Sequence, residues 1–423
     1  MAQVPAQGGA PLCGVETPRT GVLPLPDDGV LRVATYNVLH SLEDYADETL
    51  SRRLDLIADA LTATDADAVG IQEAVRSTNH GLVAQRLATA LADRDGHAWS
   101  WCWYQSNPHL PGEPDTAPGG AGGPVSQQMA QLVRAGDSPW AEGVGILARG
   151  AISRSAAHRL VSRAPEAPAC QVGNPTNPLA IPICVLDTRT VLWAEIESAC
   201  GSLDFFTSHL VHTMSPITEE VRLVQMVHAL ATIDMLASDG ATPDVYVGDF
   251  NTLEGSPVWQ AALDAGFVDA FRVAEPTDPG FTSHQDIAAA EATVSRRIDY
   301  IFARPGKVQL VPVDGVVIGT APAPFVGSGG QSVVWPSDHF GVAVTLLDKD
   351  SCGAAATGSP ASAHGTTTVD PSDAPAPPGT GPFLPATGGG PPAAPIVGVT
   401  LIAIAGHWWC RRRWVWGAAH GES

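Results

Sequence analysis

Short apolar runs, each ending in a polar residue, recur along this chain and alternate with stretches of helical spacing. Residues 30–35 alternate as a strand does and deliver Tyr36, Asn37 and Val38 at its C-terminal end. Leu50, Leu54, Ile57, Ala58 and Leu61 follow at i, i+4, i+7, i+8 and i+11, which predicts an amphipathic helix over 48–61. Residues 68–71 form a short apolar strand ending in Gln72 and Glu73, and a second helix is predicted over 81–92. Trp99, Trp101 and Trp103 alternate as one strand face would and read as core packing or a loop anchor. A strand over 143–148 is entered through Glu142. Residues 191–197 and 203–208 pair as a hairpin whose second strand ends in His209, Leu210, Val211 and His212. A helix over 218–236 opens with Thr218, Glu219 and Glu220, residues suited to its N-terminal end. Three strand-like runs remain: Val245-Tyr246-Val247-Gly248-Asp249-Phe250-Asn251, then 297–302, then 342–347 after Ser337, Asp338 and His339.

Strands separated by helices early and strands paired locally later predict a mixed α/β domain over 30–348. Pro/Gly-dense residues 107–123, and 164–182, read as long surface loops. Residues 1–29 are rich in Pro and Gly without periodicity and read as a disordered segment. Residues 349–383 hold Pro, Ala, Ser, Thr and Gly with almost no large apolar side chains, so a disordered stalk is expected. Residues 384–423 begin with Leu384-Pro385-Ala386-Thr387-Gly388, continue in an apolar run over 396–409 and reach Arg411, Arg412 and Arg413. That run is short for a membrane span, and the arginines suit a cytoplasmic end.

The chain has 23 Lys plus Arg against 44 Asp plus Glu, a formal net charge of -21. Such a balance argues against a broad basic surface gripping nucleic acid, since that affinity comes mainly from Lys and Arg. It leaves room for a phosphate substrate bridged by a divalent cation, which inverts the local charge. None of the seven cysteines stands in metal-type spacing, so a zinc site is not expected. Six of them precede the C-terminal tail, an even number that suits disulfides in an exported protein, with buried free thiols as the alternative.

The polar strand ends carry the chemistry: Asn37, Glu73, His209, Asp249, Asn251, Asp299, Asp338 and His339. Asp249 and Asn251 are two residues apart at a strand end and so can converge on one phosphate oxygen or one water. Hydrolysing a phosphate ester calls for a hard cation, a base for water and donors to the equatorial oxygens. Mg²⁺ takes one or two carboxylates and keeps waters and substrate oxygens, a role Glu73 with Asn37 would suit. His339 beside Asp299 would make a carboxylate–imidazole dyad that fixes the ring tautomer and raises its basicity.

Together TYNVL, IQE, TSHL, GDFN, RIDYIF and SDH resemble, in order, the motifs of the endonuclease/exonuclease/phosphatase superfamily, the deoxyribonuclease I-like fold. The resemblance covers about residues 31–347. It implies a four-layer α/β sandwich, two packed mixed sheets flanked by helices, with the site on loops and strand ends at one edge. It implies Mg²⁺ or Mn²⁺, with Ca²⁺ a third candidate, held by Asn37 and Glu73 and supported by Asp338. His209, Asp249, Asn251, Asp299 and His339 become the catalytic set: His209 against the scissile phosphate, Asp249 against the water, Asn251 donating to a phosphate oxygen. Glu142 is the candidate partner of His209, by position only. Arg76 is a candidate phosphate contact, with a solvated surface arginine as the alternative.

The reading that follows is metal-dependent phosphodiester hydrolysis by a monomeric surface or secreted nuclease. Alternatives are a sphingomyelinase-like or small-molecule phosphodiesterase, and a wall-displayed binding module with a vestigial site. The tail resembles an LPxTG sorting signal, implying sortase and peptidoglycan as partners and a transient membrane contact through the apolar run, with a plain C-terminal membrane anchor as the alternative. No basic and apolar leader is visible, so the start of the exported chain is expected upstream of Met1. Upstream genomic sequence lacking an in-frame leader would count against that expectation.

Overall fold

The computed structural model describes residues 10–18, 29–40, 44–77, 80–107, 141–160, 189–198, 201–212, 216–237, 242–287, 289–306, 310–326 and 332–348. All lie in the compact unit Met1–Pro360. The stalk, Leu384, Pro385, Thr387, Gly388 and the apolar run fall outside the described residues, as do most of the two long loops. Among the described residues no helix is long and apolar enough to cross a membrane.

Two mixed sheets form the centre. Along its main path the larger one runs in the order Leu12–Glu16, Trp99–Asn107, Ala141–Ala148, Ala68–Ser77, Val30–Asn37, Gly341–Asp348, Leu310–Ile318. The other runs Val268–Asp269, Asp299–Arg304, Asp244–Asp249, Gly201–His209, Thr190–Ser198, Ile152–Arg159. Strand alternation sends one set of side chains inward: Val33, Ala68, Val144 and Ile146 meet Leu192, Phe205, Val245, Val247 and Ile301 between the sheets.

The outer faces are covered by helices. Asp44–Ala63 and Val83–Asp95 pack Leu50, Leu54, Ile57, Leu61, Leu87 and Leu91 against Ala34, Tyr36, Trp99 and Trp103. Each such aliphatic side chain contributes about 1.5–3 kcal/mol on burial. Pro216–Leu236 and Pro257–Asp264 cover the second sheet over Phe206, Tyr246, Phe250 and Phe302. Ser256 starts the latter helix by accepting from the Trp259 N–H ahead of a favourable Pro257. The order helix, sheet, sheet, helix is the expected four-layer α/β sandwich.

The N-terminal stretch differs from expectation. Leu12–Glu16 is a strand that pairs antiparallel with Trp99–Asn107, Cys13 standing opposite Cys102. A Cys13–Cys102 disulfide fastens it, Gly14 leaves room for the Trp101 ring, and Glu16 accepts from Trp101 Nε1 at 3.1 Å. A five-residue strand without an apolar face gives no periodic signal. Its place comes from a covalent bond and one indole ring 85 residues away.

Candidate active site

Strand register assembles the site. Asp249 stands directly opposite His209 in a parallel pair and opposite Asp299 in an antiparallel pair, so three reactive side chains line up across adjacent strands. In the other sheet Asn37 pairs with Gln72 at the ends of parallel strands. Val342 pairs with Thr35, which brings the preceding Ser337-Asp338-His339 segment to the same edge. Beneath, Gln72 Nε2 donates to Thr35 Oγ1 at 3.1 Å and to Thr207 Oγ1 at 3.0 Å, tying the two sheets by a buried polar bridge.

Local backbone devices aim the side chains. Glu73 sits at a register shift between Ile71 and Ala74, with φ of 57°, left-handed for a non-glycine. The Trp103 indole donates to the Ala74 carbonyl at 2.9 Å and holds this bulge. Leu39 and Asn251 also take positive φ, 54° and 52°. Buried Arg53 donates to the carbonyls of Val38 and Leu39 at 2.6 and 3.1 Å, fixing the turn after Asn37. Arg222 and Gln225 of the Pro216–Leu236 helix grip the Val211 carbonyl and N–H in the same way. Gly248 is required because a Cβ there would run into the Ser208 carbonyl.

Asp249 is the hub. Its Oδ2 accepts from Asn37 Nδ2 at 3.1 Å and lies 3.4 Å from His209 Nε2 and 3.7 Å from His339 Nε2. Its Oδ1 accepts from the Asn251 N–H at 2.9 Å. Burial, reinforced by the charge of Asp299, pushes the Asp249 carboxyl up to about 7 against the pull of His339, Asn37 and Asn251. His339 Nδ1 is 3.0 Å from Asp299 Oδ2. Burial works against a charged ring, yet Asp299 and Asp249 outweigh it and hold His339 well above the usual imidazole range.

Glu73 accepts from Asn37 Nδ2 at 3.1 Å and from the His40 N–H at 3.0 Å, with the His40 ring at 3.6 Å. Burial raises its carboxyl, but His40, His209 and these hydrogen bonds carry it well below the ordinary range. Asn37 Oδ1 accepts from the Leu39 N–H at 3.1 Å and keeps a second lone pair. Glu142 lies 4.0 Å from both His209 Nδ1 and Arg189 Nη1, an electrostatic neighbour beyond hydrogen-bond range. Asn251 spends one amide N–H on the Leu210 carbonyl at 3.1 Å, leaving one for another acceptor. Asp338 is half-buried and reaches His339 through its charge. Arg76 and His212 are exposed. His40 and Arg189 were missed in the sequence; each is a lone residue outside any strand-end pattern, so no local signal marked it.

A sequence profile of the Endonuclease/Exonuclease/phosphatase family matches residues 34–339. The chain belongs to the endonuclease/exonuclease/phosphatase family. Members of this family are hydrolytic phosphoesterases. Two solved structures from Bacteroides thetaiotaomicron share the fold. An endonuclease/exonuclease/phosphatase family protein aligns at 18% identity over 76% of this chain and 98% of its own, TM-score 0.51. A mannosyl-6-phosphatase aligns at 19% identity over 75% and 99%, also TM-score 0.51. No curated protein matches the chain.

The donors fit a hard divalent cation, as in an endonuclease/exonuclease/phosphatase enzyme. Glu73 Oε1 meets Asn37 Nδ2 at 3.1 Å, Asn37 Oδ1 keeps a second lone pair, and Asp299 Oδ1 is buried with no hydrogen-bond partner among the described residues. Asp249, Asp299 and His339 also offer ligand atoms within 4.8 Å of one another.

Proposed function

We propose that this chain is a divalent-metal-dependent phosphoesterase that cleaves phosphodiester bonds, acting as a nuclease outside the cell. One observation carries the reading: Asp249 Oδ2 is shared by Asn37, His209 and His339 at 3.1, 3.4 and 3.7 Å. A carboxylate ringed by an amide and two imidazoles joins a base to two groups able to hold an anionic phosphate.

Asn37 and Glu73 would hold the cation, with Asp338 in support. Once bound, Mg²⁺ or Mn²⁺ supplies charge neutralisation at a phosphate oxygen. Asp249 takes the proton of the attacking water, its carboxyl lying near neutrality as a general base requires. His339, kept charged by Asp299, stands 3.7 Å from Asp249 and presents Nε2 to the phosphate oxygens or the departing one. His209 contacts the scissile phosphate, steadied electrostatically by Glu142. The second N–H of Asn251 donates to a phosphate oxygen.

An extracellular setting is supported by the Cys13–Cys102 bond, because disulfides persist in oxidising compartments. Attachment to peptidoglycan by a sortase rests on Leu384, Pro385, Thr387 and Gly388 in sequence alone. The test offers plasmid DNA, RNA, sphingomyelin, an aryl phosphodiester and a sugar 6-phosphate to the purified protein with Mg²⁺, Mn²⁺ or EDTA. DNA nicking abolished by EDTA and by His339→Ala is the expected result. Turnover of the lipid or the monoester alone would replace the nuclease reading, and silence on every substrate would leave a binding module.

A further inference from the structure

The tandem arginines Arg296 and Arg297 have different fates. Arg297 is spent in a buried clamp: Nη1 donates to Asp269 Oδ1 at 3.0 Å, and Nη2 donates to Asp269 Oδ2 at 2.7 Å and Glu254 Oε2 at 2.6 Å. Arg296 is half-buried and meets no carboxylate within 4.0 Å among the described residues. Its side-chain contact is His284, Nη1 to Nε2 at 3.1 Å. A guanidinium only donates, so His284 Nε2 accepts and carries its proton on Nδ1. The imidazole thus orients the cation without neutralising it.

Backbone pairing puts this cation beside the reactive centre. Ser283 is bridged antiparallel to Arg296 on one side and to His339 on the other. The Ser283 N–H donates to the Arg296 carbonyl at 2.9 Å, and the Gln285 N–H donates to the Asp338 carbonyl at 2.9 Å. Thr293 ties the loop shut, its Oγ1 donating to the His284 carbonyl at 3.0 Å and its N–H donating to Gln285 Oε1 at 2.8 Å. His284 is held at φ of 70°, left-handed for a non-glycine. In a chain of net charge -21, an oriented arginine without a carboxylate partner, two backbone segments from His339, is a prepared anion contact.

We propose that Arg296, oriented by His284, binds a second phosphate of the substrate flanking the one that is cleaved, and so selects multiply phosphorylated esters over single-phosphate ones. This rests on the phosphoesterase reading of the same site and narrows it. A choline diester, whose far end is cationic, is disfavoured by the same charge.

The experiment is calorimetric binding to the full chain in Mg²⁺, comparing thymidine 3′,5′-bisphosphate with thymidine 5′-monophosphate. Inositol 1,4-bisphosphate with inositol 1-phosphate forms a second pair, which separates a nucleotide from a polyol source of the two phosphates. In one pair the bisphosphate binds about 10-fold more tightly, as one charge-assisted contact supplies. Arg296→Gln erases that gap while leaving the monophosphate Kd unchanged, and His284→Ala narrows it. Equal bisphosphate binding by wild type and Arg296→Gln, or a loss shared equally by mono- and bisphosphate, overturns the proposal. Absence of any phosphate binding by wild type removes the phosphoesterase reading along with it.

Discussion

Replacing Asp299 by Asn tests the charge arrangement at the centre of the site most directly. The side chains are nearly isosteric, and an Asn Oδ1 can still accept from His339 Nδ1, so the ring position is retained while a charge is deleted. The two groups are 3.0 Å apart in a buried setting. At an effective dielectric constant of about 20, Coulomb's law values that pair at roughly 5 kcal/mol. A neighbouring opposite charge moves a pKa by about 1–3 units in practice, the lower figure reflecting solvent and structural relaxation. Asp249 remains 3.7 Å from the ring and continues to support its charge. His339 therefore titrates lower in Asp299→Asn. Because the ring must be protonated to act, the alkaline limb of kcat/KM moves toward lower pH by the same amount, and the plateau falls about 10²-fold or more. The assay is a nuclear magnetic resonance titration of the His339 ring beside the pH–rate profile with Mg²⁺. A ring that titrates where it does in the wild type, with an unmoved alkaline limb, would refute the reasoning.

Four further outcomes are expected. Asp249 must be ionised to act as base, so kcat/KM in the wild type falls as pH drops through about 7, and Asp249→Asn removes that acid limb with the activity. Glu73→Gln leaves the fold intact but abolishes the thermal stabilisation given by Mg²⁺, which for the wild type is about 2.7 kcal/mol at 100-fold over Kd; an undiminished shift in melting temperature would remove Glu73 from the cation. Gly248→Ala drives a methyl group into the Ser208 carbonyl and costs about 2–4 kcal/mol in urea unfolding, because backbone cannot yield as a side chain can. Reduction of Cys13–Cys102, which are 89 residues apart, lowers stability by about 2–4 kcal/mol and frees two thiols for labelling.

Periodicity and motif order sufficed for the elements that build the walls of the site. The amphipathic face of Leu50, Leu54, Ile57 and Leu61 returned as Asp44–Ala63 packed on the larger sheet. The 191–197 and 203–208 hairpin returned as Thr190–Ser198 and Gly201–His209. Asn37, Glu73, His209, Asp249, Asp299 and His339 were marked as strand ends; Glu73 instead sits on a bulge inside Ala68–Ser77, because that strand continues past it. What periodicity did not give were elements whose reason is non-local. Ile152–Arg159 and Leu310–Ile318 are edge strands with half-exposed faces, and neither alternates cleanly.

Sequence by itself marked Asn37, His209 and Asp249 as strand ends, because a period of two and a period of 3.6 are properties of the local chain. It determined the family too, through six short motifs in order. Tertiary structure decided how those ends meet. Asp249 becomes a hub only when a parallel strand sets His209 beside it and a separate sheet delivers Asn37 within 3.1 Å. The bulge that turns Glu73 toward His40 depends on an indole from two strands away in the same sheet. Arg296 and Arg297 are indistinguishable as letters; one is buried against Asp269, and the other contacts His284 with no carboxylate within 4.0 Å among the described residues. Proton affinities followed the same rule, since burial and the mutual field of Asp249, Asp299 and His339 exist only after the strands have paired.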